Sequence, residues 1–209
     1  NHALSINAGN GGCLSSIYCT INVKEVSANE NFASRAGGCF HLTGSSNIIA
    51  SKSTFIGNTA TIKGGTVVCE GCSTGNSLSY SNIINSTSGE GGGIAIYETK
   101  SFSIAVSTFH QCTASGTRGG SAIYVGDGAL AGLIDISSCS MKNCRAANGG
   151  GTILWKPSKD FVSPPITIDD ATLSFSENNY AAYGHFLASE AFQIKFSTLV
   201  QSKFINISS

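Results

Sequence analysis

The sequence predicts an all-β fold, a single-stranded parallel β-helix (solenoid) of about seven coils of ~27 residues, and three observations predict it. A double glycine recurs at Gly11-Gly12, Gly37-Gly38, Gly64-Gly65, Gly92-Gly93, Gly119-Gly120 and Gly150-Gly151, with Gly184 as a seventh, degraded copy. Steps between the last glycines are 26, 27, 28, 27, 31 and 33 residues. A short apolar burst follows each copy (CFHL, TVVC, IAIY, SAIY, TILW, HFLA). Between copies, alternating segments end in Ser-Thr-Phe or a relative: 48–55, 102–109, 134–141 and 192–199. Alternation rich in Ile, Val, Phe and Thr reads as half-buried strand, and no stretch sustains a helical period. Two or three short strands per repeat make one coil, and seven coils stacked at about 4.8 Å would span about 34 Å. An up-and-down sandwich or barrel has no reason to repeat itself at this period.

Each element of the coil follows from superposing the repeats. The glycines fit corners that need positive φ or close backbone approach. After them one column reads Leu14, Phe40, Val67, Ala95, Ala122, Ile153 and Phe186. A second buried column, with small register shifts allowed, is Ile48, Leu78, Ile104, Ile136, Ile168 and Ile194. Next come Phe55, Ile83, Phe109, Met141, Phe175 and Leu199 as an inward apolar stack. Three residues later Asn58, Ser86, Cys112, Cys144, Asn178 and Ser202 place small polar groups where a corner's backbone needs partners.

Phe-x-x-Asn at 55–58 and 175–178, followed by Gly-Gly-x-apolar, resembles the repeats of polymorphic outer-membrane proteins of bacterial surface autotransporters and protist surface families. The cysteine variants at 109–112 and 141–144 look more like the eukaryotic, cysteine-bearing versions. The resemblance covers nearly the whole chain, through short and degenerate motifs. It implies a right-handed β-helix, a cell-surface or secreted role, commonly adhesion, and no catalytic residues, because the motif residues build the coil.

The 209 residues suffice for one solenoid domain, 1–209. With 12 basic and 12 acidic residues and no basic stripe, nucleic acid and anionic membrane are poor partners. No apolar run reaches the length of a membrane span, so no direct insertion is expected. Eight cysteines point to disulfides and an oxidising, extracellular or cell-surface location. Cys13 with Cys39, and Cys112 with Cys144, hold equivalent positions in adjacent coils, at a spacing compatible with a disulfide. Cys69 and Cys72 are placed to close locally; Cys19 and Cys139 stay unassigned. The alternative is a reduced cysteine ladder filling the core. Asn85 and Asn206 begin N-glycosylation sequons. The chain starts just before a glycine pair and stops inside a coil, and neither end carries a capping helix. That leads to two expectations, continuation in a longer protein or coils of neighbouring subunits stacked end to end.

Two sets of residues bear on chemistry. Asp169-Asp170, Gly184-His185 and Gln193-Ile194-Lys195 are faintly similar to polygalacturonase motifs, where paired carboxylates serve as acid and base. The Asn-Thr-Asp motif is missing, Phe186 follows His185 where Gly belongs, and Gln193 stands where Arg belongs. No cofactor or metal is expected: the histidines share no ligand spacing, and Cys69-x-x-Cys72 lacks a second such pair. For binding, Tyr97, Tyr124 and Trp155 lie four residues after the last glycine of three successive coils. Pointing outward they would form a ladder for sugar rings or a partner surface; pointing inward they are core. The segments 126–128 and 156–165 lengthen their coils and are expected to protrude. The reading that follows is a non-enzymatic, extracellular structural or adhesive module that associates with itself, in a layer or filament, or with other surface proteins or glycans. The alternative is a carbohydrate-binding or pectinase-like β-helix.

Overall fold

The computed structural model describes residues 2–3, 9–128, 134–156, 166–168, 174–175 and 178–189. They are all-β, with parallel strands stacked in register as a solenoid. Each turn contributes four strands, not two or three, one to each of four sheets. One turn is Phe40–Thr43, Asn47–Ser51, Thr54–Ile56 and Thr59–Ala60, assigned below to sheets I, II, III and IV. About five turns, from Leu14 to Gly150, carry a strand on every face, and the ladders run on beyond them.

The sequence hides the fourth strand because the alternation keeps its phase across a corner. The segment 48–55, read as one strand, is two: Lys52 turns the chain at φ 50°, and Tyr80, Val106 and Ser138 do the same in later turns. The residue after each turns inward and is polar. Ser53, Ser81 and Ser107 are buried, and each hydroxyl donates at 2.8 Å to the carbonyl two residues back, on Ser51, Ser79 and Ala105. The same oxygens accept a backbone N–H from the turn below: Val26 to Ser53, Ser53 to Ser81 and Ser81 to Ser107, at 3.1–3.2 Å. These three buried hydroxyls are thereby paired along the axis, as burial demands. Cys139 is the next member of this ladder, its Sγ 3.2 Å from the Ser137 carbonyl.

The corner between sheets III and IV works likewise. Gly57, Asn85, Gln111 and Asn143 have positive φ, and Asn58, Ser86, Cys112 and Cys144 follow them into the interior. The column begins at Asn31 and continues to Asn179, not Asn178, because Tyr180 pairs with Arg145 and the Asn179 Oδ1 accepts the Cys144 N–H at 2.8 Å.

The glycine corner, between sheets IV and I, sets the register. Its positive-φ residue is Gly11, Gly37, Gly64, Gly91, Gly120, Gly151 and Gly184, with φ between 54° and 66°. This is the first glycine of some runs and the last of others. Counting from the last glycine therefore misplaced the next column: it is Leu14, Phe40, Val67, Ile94, Ile123, Ile153 and Leu187, with Ala95, Ala122 and Phe186 each one residue off. The second column also shifts, since Leu78 pairs with Ala50, whereas Ile48 stands two residues earlier. The Phe55, Ile83, Phe109 and Met141 stack holds, and Phe175 pairs with Met141 in register. These four side chains are fully buried in one core running through the turns. Leu199, Ile194 and Ser202 lie outside the described residues.

Candidate functional site: a polar cleft beside the glycine corner

Sheet I has two buried faces. Ile94, Ile96, Ile123, Val125 and Ile153 enter the main core, whereas Val68, Ala95, Tyr97, Tyr124 and Leu154 form a second apolar cluster with Ala36. Three residues that precede a corner glycine, Ala36, Lys63 and Glu90, lie against this second face. Ala36, Lys63 and Glu90 are bridged in succession along the axis, and a Cβ on Gly64 would collide with the Val68 side chain. A concave strip results, and its middle is a cleft of about 390 Å³ lined by Lys63, Glu70, Tyr97, Glu98, Arg118 and Asp127.

Two insertions frame it. Sheet IV breaks register between Ala114 and Gly119, which swings Arg118 over the cleft, and the 126–128 segment brings Asp127 to the other side. Gly126 has no side chain because the Tyr97 ring occupies that space.

An ionic network fills the cleft floor. The Glu70 carboxylate accepts from Lys63 Nζ at 2.7 Å and faces His41 Nε2 at 3.2 Å; His41 Nδ1 is 3.4 Å from the Ser15 hydroxyl. The Glu90 carboxylate accepts from the Tyr97 hydroxyl at 2.6 Å and pairs with Arg118 at 3.2 Å. Lys63 Nζ lies 4.0 Å from the centre of the Tyr97 ring, a cation–π contact. At the rim, Lys156 pairs with Asp127 at 2.9 Å. The hydrogen bond from His41, with the Lys63 ammonium beside it, holds the Glu70 carboxyl down at about 2 despite its partial burial. Burial, then the Glu90 carboxylate, raises the Tyr97 phenol well above its ordinary range. Glu70 is thus an ion at any ordinary pH, suited to holding partners and not to donating a proton as a glycosidase acid must.

The aromatic column is corrected. Tyr97 pairs with Glu70, Tyr124 with Ala95 and Leu154, and Trp155 with Val125 and Ser189, so the three occupy three different rungs. Tyr124 is fully buried, Tyr97 is 9% exposed, and their rings pack at 5.5 Å; Trp155 packs against the main core. No outward ladder forms from them. Sequence reasoning also missed the ionic network, although correct superposition places Lys63 over Glu90 and Glu70 over Tyr97.

All eight cysteines are free thiols in this structure, yet all three candidate pairs are in contact. Cys13 and Cys39 share a rung, with Sγ atoms 2.6 Å apart. Cys112 and Cys144 touch inside the core, and so do Cys69 and Cys72. Cys19 is exposed. Asn85 is exposed at its positive-φ corner, leaving its amide open to a glycan; Asn206 lies outside the described residues. His185 is exposed, its ring 5.7 Å from that of Tyr180, while Asp169, Asp170, Gln193, Ile194 and Lys195 lie outside the described residues. Among the described residues, no group of three or more His, Cys, Asp or Glu side chains is placed to hold a metal ion. No family model, curated protein or solved structure matches this chain.

Proposed function

We propose that this chain is a non-enzymatic structural or adhesive rod of the cell surface or extracellular space, a right-handed solenoid of seven coils of about 27 residues that associates with itself, end to end or side by side. The observation that carries the reading is the parallel ladder on all four faces, in register on sheets I to III and shifted in sheet IV only where its turns are lengthened. Inward residues are committed to neighbours one turn away, so the molecule's chief product is a stiff, repetitive outer surface. Supporting it, Ile17 and the 78%-exposed Tyr18 put an apolar patch on that surface, of the kind that makes protein contacts. Three touching cysteine pairs suit an oxidising compartment, and Asn85 suits a glycan. The resemblance to polymorphic outer-membrane protein repeats leads the same way.

The test is electron microscopy of the native protein together with its sedimentation. Regular filaments, or concentration-dependent lateral arrays, support self-association. Monodisperse single particles at all concentrations overturn it and leave a rod that serves other partners.

A second reading, a carbohydrate-binding module, is favoured by the cleft alone, whose volume and mixed polar lining suit a short saccharide. Calorimetry against neutral and acidic oligosaccharides tests it, with Arg118→Ala and Asp127→Ala expected to abolish any binding found. Absence of heat across the set ends that reading.

A further inference from the structure

The three cysteine pairs differ in access to solvent. Cys112, Cys144, Cys69 and Cys72 are sealed in the core at 0–1% exposure. Cys39 is equally buried, but Cys13, one turn away, is partly open to solvent. The two sulfurs face each other at 2.6 Å across one rung, tied by the Cys13 N–H to the Cys39 carbonyl at 2.9 Å. The Asn31 amide nitrogen stands 4.0 Å behind the Cys39 sulfur. One reachable sulfur backed by one sealed sulfur is the arrangement that thiol–disulfide exchange requires.

We infer that Cys13 and Cys39 form a reversible dithiol site that exchanges with soluble low-molecular-weight disulfides, Cys13 as the attacking sulfur and Cys39 as the resolving one. Cys13 is the partly solvated sulfur and Cys39 the sealed one, and burial disfavours a thiolate, so the charge forms on the reachable sulfur. Exchange then runs in two displacements. The Cys13 thiolate attacks one sulfur of RSSR, making Cys13–S–S–R and expelling RS⁻. Cys39 loses its proton and attacks the Cys13 sulfur, making the protein disulfide and expelling the second RS⁻. The protons given up by Cys13 and Cys39 end on the two released thiols, so two protein thiols are oxidised and one RSSR is reduced to two RSH. The Cys112–Cys144 pair offers the same juxtaposition but no path for RSSR, and is set to close only while the chain folds. The inference rests on the proposed oxidising surroundings for its setting alone; the chemistry is a property of the folded, reduced protein.

The experiment treats folded, fully reduced protein with oxidised glutathione, quenches by alkylation at intervals, and maps every cysteine by peptide mass. Cys19, an exposed thiol outside the pair, is the internal comparator. Expected is a Cys13–Cys39 bridge that forms while the four sealed cysteines stay reduced, with Cys13 consumed about tenfold faster than Cys19 near neutral pH. Excess reduced glutathione should reopen it. Cys39→Ser should accumulate glutathione on Cys13, and Cys13→Ser should leave Cys39 unmodified. The inference is overturned if Cys13 reacts no faster than Cys19, if glutathione is trapped on Cys39, or if Cys112–Cys144 closes at the same rate. The wild-type kinetics decide the matter even where a variant does not fold, and they are read at a dilution where sedimentation shows single particles, because end-to-end stacking on the first turn would cover Cys13.

Discussion

Val106 stands at a corner with φ 50° and 45% of its surface exposed. A β-branched residue is strained in that region, and little burial is lost by replacing it. Val106→Asn is therefore expected to stabilise the protein by about 0.5–1 kcal/mol, read as a rise in the urea midpoint without a change in slope. Gly38 is the opposite case, because a Cβ there would collide with the Gly65 carbonyl oxygen and the Thr59 backbone of the next turn. Gly38→Ala should cost more than about 2 kcal/mol in the same assay. Glu70 gives the pH dependence. Its folded-state carboxyl is depressed from 4.5 to about 2, so its contribution is complete above the unfolded value and is lost as pH falls from about 4.5 toward 2. The stability difference between wild type and Glu70→Gln should be constant at neutral pH and shrink through that window. A difference that is flat from pH 6 to 2 would show that the network does not stabilise the fold.

Among the elements, the corners carry as much information as the strands. Asn58 illustrates why: its Oδ1 accepts both the backbone N–H and the side-chain amide of Asn31, and its Nδ2 donates to the Ala28 carbonyl at 3.0 Å. Asn58→Ala leaves those groups buried without partners and should cost about 2–3 kcal/mol, measured by thermal unfolding. The apolar stack through Phe55, Ile83, Phe109 and Met141 was legible in the sequence because each member lies in a clean alternation. The glycine-side column was legible only to within one residue, since a run such as Gly91-Gly92-Gly93 does not say which member has positive φ. The Lys52 corner was invisible because Ser53 points inward and lets the alternation continue. The cleft was invisible for a related reason: Lys63 and Glu70 are seven residues apart across a glycine corner, a distance that means nothing until the corner's bend is known. Cysteine adjacency was legible, because a shared rung follows from the repeat alone.

For the molecule as a whole, oxidation of the stacked cysteines is what would tie one turn to the next along the axis. Closing Cys13–Cys39 joins residues 26 apart, worth about 3.5 kcal/mol by the chain-entropy estimate. Oxidised protein should melt higher than reduced protein in scanning calorimetry, and Cys13→Ser should remove only that pair's share of the gain. The ladder that sets this geometry has a further consequence for how the chain finds its fold. Almost every tertiary partner of a residue lies one turn away in sequence, so contact order in absolute terms does not grow as turns are added. Once any two neighbouring turns have docked, each further turn closes a loop of the same size and adds a similar interface. Folding should spread as a moving front from such a nucleus, at a speed set by the turn and not by the length of the rod.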